Sequence, residues 1–180
     1  MAEKKRKRWN RYSKASQFAP GAGGELAYTG RYFTFQETEV SYRESMRRRI
    51  ALAAISAVAV LACGCMPVPA LTNTWYVLLP YMLTAIAVVS QVWAVCRMAY
   101  WGNPLREYVY DTTVKQLPVR TMLAMILSMC TLCGQICHLV LHGLQEKYYI
   151  YDFAFLALFI VIFVCSMAWR RMEIRWKWSV

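Results

Sequence analysis

Four stretches of the chain are almost uninterrupted runs of apolar residues, and polar segments separate them. They cover residues 50–66, 75–96, 121–141 and 149–169. Each stretch is close to the roughly 20 residues that an α-helix needs to cross the hydrocarbon core of a bilayer. The pattern predicts an all-α membrane protein whose four transmembrane helices form a bundle of two antiparallel hairpins.

A soluble protein with four buried core helices is the alternative to this fold class. Helices of that kind carry an apolar stripe on one side and charged residues on the other. Residues 50–62 and 153–164 contain no charged residue, so no charged face is available. The composition agrees, because 58% of the chain is hydrophobic and only 17% is charged, against roughly 25% charged in an average globular domain.

The lysines and arginines alternate along the chain in a way that predicts the orientation in the membrane. Twelve precede the first span, and the successive connections and the tail then contain none, four, one and four. Loops that stay in the cytoplasm are enriched in basic residues. We therefore expect both termini in the cytoplasm, and the short loops favour a bacterial cytoplasmic membrane.

The segments outside the spans differ in composition. Residues 1–24 are basic and then rich in small residues, so we expect disorder there. In 25–49, the aromatic stretch 25–35 with its Thr29-Gly30 turn signal predicts a hairpin or a membrane-surface segment. Thr34 and Glu37 have capping-box spacing, which predicts a helical stem leading into the first span.

The connection between the second and third spans, residues 97–120, predicts a short amphipathic helix at the membrane interface. Asn103 followed by Pro104 suits a helix start, and apolar residues recur at helical spacing up to Gln116. Residues 170–180 form a basic cytoplasmic tail.

The net charge of +11 raises the question of nucleic acid. A basic stretch beside an aromatic residue, such as Trp9, also occurs in RNA-binding tails. Attraction to anionic lipid headgroups is the favoured interpretation, because it also explains the insertion direction. The residues expected to contact these headgroups are Lys4, Lys5, Arg6, Lys7, Arg8, Arg47, Arg48 and Arg49.

Polar residues of the second and third spans predict a seam between these helices. The seam consists of Thr84, Gln91, Ser128, Thr131, Gln135, His138 and His142. On the third span these residues are three or four positions apart and share one face. If the two helices are antiparallel, Thr84 lies level with Gln135 and Gln91 with Ser128. Interhelical hydrogen bonding is the favoured interpretation, and a hydrophilic permeation path is the alternative.

His138 and His142 lie one helical turn apart, and Asp152 follows just across a short connection. Asp152 is also the only formal charge inside the four spans. Two histidines and a carboxylate would suit a metal or a proton relay. We favour a pair of hydrogen-bonded groups, His142 and Asp152, at the outer face. We expect no metal and no other cofactor.

Seven cysteines lie in or beside the spans. On the third span, Cys130 and Cys133 fall on a different face from the polar seam, so one helix cannot direct both sets into one site. Free cysteines in apolar helices usually act as small hydrophobic residues. Thiol exchange between Cys63 or Cys65 and the Cys130–Cys133 pair is the alternative.

The sequence does not identify an activity. We expect a non-enzymatic accessory protein that associates with a membrane-protein partner or with itself. A small transporter that uses the polar seam is the first alternative, and a membrane thiol oxidoreductase is the second.

Overall fold

The computed structural model describes residues 18–20, 26–35, 39–143, 147–175 and 178–179. Its helices, in chain order, are α1 (Glu39–Cys65), α2 (Pro69–Asn73), α3 (Trp75–Trp101), α4 (Glu107–Thr112), α5 (Leu117–His142) and α6 (Tyr149–Arg175). Four of them, α1, α3, α5 and α6, are long and apolar enough to cross a membrane. This confirms that the four predicted spans are helices of sufficient length and apolar composition to cross a membrane, and it is consistent with the predicted membrane-protein class.

The long helices continue beyond the apolar stretches, mostly at one end of the molecule. Helix α1 begins at Glu39, α3 ends at Trp101 and α6 ends at Arg175. Hydropathy marks only the lipid-compatible part of a helix, whereas the backbone hydrogen bonds continue wherever the side chains can reach water. Arg47, Arg97 and other arginines lie on these added turns, and we call this end of the molecule the basic end.

The four long helices pack around a common interior. Helices α1 and α5 each contact both α3 and α6. One apolar cluster, which includes Cys63, Phe155 and Phe159, fills the end opposite the basic end. A second cluster, which includes Met46, Met98 and Trp169, fills the basic end. Buried polar residues of α3 and α5, among them Thr84 and Ser128, lie in the same interior.

The outer surface of the long helices is apolar. Val58, Ile86, Val140 and Ile150 are all more than 60% exposed. Such continuous apolar surfaces are rare on proteins that are surrounded by water, and they are the expected surface of helices surrounded by lipid.

Five short strands accompany the helices at the basic end: β1 (Phe18–Pro20), β2 (Leu26–Tyr28), β3 (Tyr32–Phe35), β4 (Leu105–Arg106) and β5 (Trp178–Ser179). Strand β1 pairs with β2, and β3 lies between β4 and β5, all in antiparallel register.

The strands change several expectations about the segment before α1. The expected disorder of 1–24 does not hold for β1, whereas residues 1–17 and 21–25 lie outside the described residues. Residues 25–35 do not form a hairpin of their own, because β2 and β3 pair with other strands. Thr34 lies in β3 and does not cap a helix. The helical stem is present, but it begins at Glu39, after the partner residue Glu37, which lies outside the described residues.

The predicted interfacial helix of residues 104–116 is replaced by three shorter elements. Strand β4 is followed by α4 and by a 3₁₀ turn, Val114–Gln116. Pro104 does not open a helix, because Leu105 pairs with Phe33 in the sheet. The side chain of Asn103 accepts a hydrogen bond of 3.3 Å from the Phe35 backbone N–H. Long-range strand pairing has therefore overridden a local helix-start signal.

Candidate functional site

Six of the seven predicted seam residues are buried between the long helices. They are Thr84, Gln91, Ser128, Thr131, Gln135 and His138. The seventh, His142, lies at the end of α5 and is exposed. Thr121, one turn before Ala124 on the same side of α5, is buried as well. The interior therefore holds a column of polar side chains along most of α5.

The hydroxyl groups of this column are largely satisfied by their own helices. The hydroxyls of Thr84, Ser128 and Thr131 donate to the carbonyls of Pro80, Met125 and Leu127, at 2.7, 2.9 and 2.9 Å. Serine and threonine commonly make this bond inside helices, and it removes the penalty of burying a hydroxyl in an apolar environment. These three side chains are thus compatible with a closely packed interior.

The axial alignment of α3 and α5 differs from the predicted one by about one turn. Thr84 lies 3.5 Å from Thr131, hydroxyl to hydroxyl, and is not paired with Gln135. The amide of Gln91 donates to the Arg120 carbonyl at 3.3 Å and not to Ser128. The two predicted pairs are therefore wrong, although α3 and α5 do pack through the polar column.

Gly134 accounts for this alignment. A Cβ atom at this position would lie 2.8 Å from the backbone carbonyl oxygen of Tyr76, so only glycine allows the two backbones to come this close. A close approach at one point determines how the remaining side chains of two packed helices meet. The spacing of polar residues within one helix contains no information about how far that helix is shifted along its neighbour.

Gln135 is paired across the interior with Asp152 on α6. Its amide nitrogen donates to Asp152 Oδ1 at 3.0 Å. Gln135 is fully buried and Asp152 is 4% exposed. The amide oxygen of Gln135 is also buried and has no hydrogen-bond partner among the described residues. A carboxylate inside an apolar interior is costly unless it is hydrogen-bonded, and Gln135 supplies such a bond.

This arrangement corrects the predicted pairing of His142 with Asp152. Within the described residues these two side chains form no ion pair, and His142 Nδ1 instead lies 3.4 Å from the His138 carbonyl oxygen. The two histidine rings stack with centroids 4.5 Å apart. His138 Nδ1 lies 3.5 Å from the hydroxyl of Tyr76. Asp152 lies deeper than predicted because it faces the interior of the bundle one turn into α6.

At the basic end, Arg49 is buried, contrary to the expectation that it contacts lipid headgroups. Arg47 and Arg48 are exposed, whereas Arg49 is fully enclosed and interacts electrostatically with Glu173 on α6. The hydroxyl of Thr121 lies 3.0 Å from Glu173 Oε2. The column of polar side chains therefore has a buried or partly buried carboxylate near each end. Residues Lys4–Arg8 lie outside the described residues.

A stripe along α1 would have revealed the burial of Arg49. Buried residues recur on α1 at intervals of three or four, which is the spacing of one helix face. Arg49 lies on this stripe, whose members are Tyr42, Met46, Arg49, Ala53, Ser56, Val60 and Cys63. Three consecutive arginines on a helix point in three directions about 100° apart, and Arg49 is the one that continues this stripe.

Two segments that are far apart in the sequence form one folded cap at the basic end. Strand β3 pairs with β4, and Tyr28 connects both to α4. The Tyr28 hydroxyl accepts a hydrogen bond of 3.0 Å from the Glu107 backbone N–H and donates one of 3.0 Å to the Arg31 carbonyl. Burial raises the pKa of Tyr28, so the hydroxyl remains a donor at neutral pH.

The cap holds arginine side chains against aromatic rings. The guanidinium of Arg106 lies 5.2 Å from the ring centre of Tyr28 and 4.9 Å from that of Trp101. The ring of Tyr108 meets both Tyr28 and Trp101 edge to face. Guanidinium groups bind favourably to aromatic faces at such distances. Sequence reasoning missed this cluster, because it depends on pairing between β3 and β4.

All seven cysteines are free in the structure. Cys63 is buried, and Cys65 is exposed at the end of α1. Cys130 and Cys133 face outward from α5, on the side opposite the polar column. Among the described residues, no group of three His, Cys, Asp or Glu side chains is arranged to hold a metal ion.

Comparisons with known proteins add no further information. No family model, no curated protein and no solved structure matches this chain.

Proposed function

We propose that the chain is a non-enzymatic membrane protein, with both termini in the cytoplasm, that acts by associating with another membrane protein through its cap. The cap carries this proposal. Strands β3 and β4 and helix α4 come from two separate segments, and pairing, hydrogen bonds and ring contacts join them into one ordered surface. An ordered surface that presents half-exposed aromatic and arginine side chains has the composition of many protein interfaces.

The interior supports the same proposal. Three hydroxyl groups of the polar column bond to carbonyls of their own helix, and the Gln135 amide is engaged by Asp152. Hydrogen bonds of this kind strengthen helix association in lipid. The polar column thus supports the packing of the bundle, and the cap is left as the surface for a partner.

Crosslinking tests the association. A photo-crosslinking residue would replace Tyr32, which is 44% exposed on the cap. The control carries the same residue at Tyr149, which is 48% exposed at the opposite end. We expect a defined product, of one mass, from the cap position only. The Arg106→Gln variant should lower its yield. Equal products from both positions, or a detergent-extracted monomer with no product, would contradict the proposal.

The orientation can be tested separately. A reporter that works only outside the cytoplasm should be active when it is fused after Pro69 or after Lys147. A reporter that works only in the cytoplasm should be active when it is fused after Lys115. The reverse pattern would place the cap outside the cytoplasm.

One observation favours a second candidate function, a permeation path along the polar column. Asp152 and the amide oxygen of Gln135, which has no hydrogen-bond partner in the part of the chain that the structure describes, are both buried in the same interior. Ionisable side chains inside membrane spans often mark proton or ion paths. Single cysteines placed at Thr84 and Gln135 in a cysteine-free chain should then react with a hydrophilic thiol reagent. Ile86, which faces outward and is 66% exposed, provides the unreactive control. Inertness at all three positions would exclude the path.

The thiol-exchange alternative has less support. Exchange needs two thiols in contact, but Cys63 is buried within the bundle while Cys130 and Cys133 face outward from α5.

A further inference from the structure

One face of α3 combines an apolar stripe with an arginine held between aromatic rings. Its members, from the middle of the helix to the basic end, are Ile86, Val89, Trp93, Arg97 and Tyr100. At 100° per residue they lie within an arc of about 80°. Ile86 and Val89 are 66% and 67% exposed, and Trp93 is 49% exposed. This face is turned away from the other long helices.

The length of the stripe matches one leaflet of a bilayer. At 1.5 Å per residue, Ile86 and Arg97 are separated by about 16 Å along the helix axis. Half of the hydrocarbon core measures about 15 Å. When Ile86 lies near the bilayer centre, Arg97 is therefore at the level of the phospholipid phosphates.

Arg97 is held in position by rings and not by carboxylates. Its guanidinium lies 5.2 Å from the ring centre of Trp93 and 6.0 Å from that of Tyr108. Among the described residues it forms no hydrogen bond and no ion pair. Stacking uses the face of a guanidinium and leaves its N–H edge available, and this edge fits a phosphate oxygen pair.

A second guanidinium lies on the same aromatic cluster. Arg106 contacts Trp101, whose ring meets Tyr108 edge to face at 5.9 Å between centres. The described residues give the Arg106 side chain no ion pair either. Arg120 lies 5.4 Å from the Trp93 ring, but its N–H groups donate to Ser90, Thr112 and Gln116. Arg120 therefore supports Trp93, and among the described arginines that contact these rings, Arg97 and Arg106 are the two whose N–H edges are available.

We propose that this face of α3 and the adjoining cap form a binding site for one anionic phospholipid. The phosphodiester occupies the N–H edges of Arg97 and Arg106, and an acyl chain lies along Ile86 and Val89. A phospholipid fits better than a soluble phosphate, because the arginines continue directly into an exposed apolar stripe of one-leaflet length.

Native mass spectrometry of the full-length protein tests the proposal. The protein is titrated in mild detergent with phosphatidylglycerol or with phosphatidylcholine, and the bound lipids are counted. The site variant is Arg97→Gln with Arg106→Gln. The control is Arg47→Gln with Arg48→Gln, which removes the same charge from exposed positions at the same end.

We expect wild-type protein to retain one phosphatidylglycerol in preference to phosphatidylcholine, and the site variant to bind it about tenfold more weakly than the control does. Soluble glycerol phosphate should not compete. Equal weakening in the two variants would show diffuse charge attraction only and would overturn the proposal. Competition by glycerol phosphate would show an anion site without a lipid, and would also overturn it.

A second variant keeps the test valid if the double substitution perturbs the cap. Arg97→Lys preserves the charge and removes the planar two-donor edge. It should lower phosphatidylglycerol retention while leaving the thermal unfolding midpoint unchanged, and unchanged retention would count against the site. Because the proposal concerns lipid alone, loss of crosslinking at Tyr32 would not affect it.

Discussion

Gln135 and Asp152 form a hydrogen bond of 3.0 Å inside the helix bundle, and the bond joins α5 to α6. It connects Asp152, the only carboxylate within the apolar stretches, to a side chain that the sequence placed in the polar seam but paired with Thr84. A buried polar group that loses its hydrogen-bond partner destabilises the folded state by more than an exposed one does. Its contribution to packing is therefore the first property to test.

Gln135→Leu should destabilise the protein by about 1–3 kcal/mol, because it leaves the buried Asp152 carboxylate without its donor. Thermal unfolding in detergent, followed by circular dichroism, measures the loss. Gln91→Leu is the matched control and should lose less, because its acceptor is a neutral carbonyl. Adding Asp152→Leu to Gln135→Leu should restore part of the stability. An equal loss for Gln91→Leu and Gln135→Leu would argue against a special role for the pair.

Gly134→Ala should destabilise the contact between α3 and α5 by about 1–3 kcal/mol, because the new methyl group meets the Tyr76 backbone and a backbone atom cannot move aside cheaply. The same unfolding assay applies. Cys133→Ala, at the neighbouring outward-facing position, should leave stability nearly unchanged. If Gly134→Ala left the stability unchanged, the backbones of α3 and α5 could not approach each other this closely at Gly134.

Arg49→Ala should cost about 1–3 kcal/mol, because it removes a fully enclosed side chain and the positive charge that interacts with the partly buried Glu173. Arg48→Ala should cost less than about 1 kcal/mol, because Arg48 is exposed and its contact with Glu44 is 4.0 Å long. Chemical unfolding of both variants in the same detergent gives the comparison. If Arg49 lay among lipid headgroups, the two variants would behave alike.

Tyr28→Phe should loosen the cap by about 1 kcal/mol or less, because the Glu107 N–H and the Arg31 carbonyl lose the hydroxyl that both contact and keep only their direct hydrogen bond of 3.1 Å. Hydrogen exchange at the Glu107 amide should accelerate several-fold. Tyr32→Phe is the control, since the described residues give its hydroxyl no hydrogen bond. Because burial raises the pKa of Tyr28 above 10.0, the contribution of its hydroxyl should persist below pH 10 and be lost as the pH rises further. Similar exchange rates in the two variants would contradict this role.

Cys130 and Cys133 should react with a membrane-soluble maleimide much faster than Cys63, because they face outward while Cys63 is enclosed. Single-cysteine versions of the chain and mass spectrometry would measure the rates. A disulfide that formed reversibly between Cys63 and Cys65 would instead revive the thiol-exchange function.

The four spans could be predicted from sequence because lipid penalises every unsatisfied backbone group, and this forces long apolar helices. The inward face of α5 could be predicted for a related reason, since polar residues at helical spacing share one side. Neither argument determines how far one helix slides along another. That axial offset depends on the contact between Gly134 and Tyr76. Because of it, Thr84 lies beside Thr131 and not beside Gln135, the partner predicted from the sequence.

The cap could not be predicted because its decisive contacts join distant parts of the chain. Leu105 has a helix-like context within its own segment, yet it pairs with Phe33. Arg49 was misassigned for a different reason. Consecutive arginines next to an apolar stretch usually indicate headgroup contact, and the buried stripe along α1 was needed to show that Arg49 points inward.

Helix α6 contains both carboxylates that lie near the ends of the polar column, Asp152 and Glu173. During synthesis, α5 therefore enters the membrane before Gln135 and Thr121 can meet their partners. A chain stopped before α6 would expose both side chains to lipid, and we expect cells to degrade it or hold it at the insertion machinery. Co-expression of residues 147–180 as a separate peptide should rescue such a chain, because it supplies Asp152 and Glu173 on a separate α6.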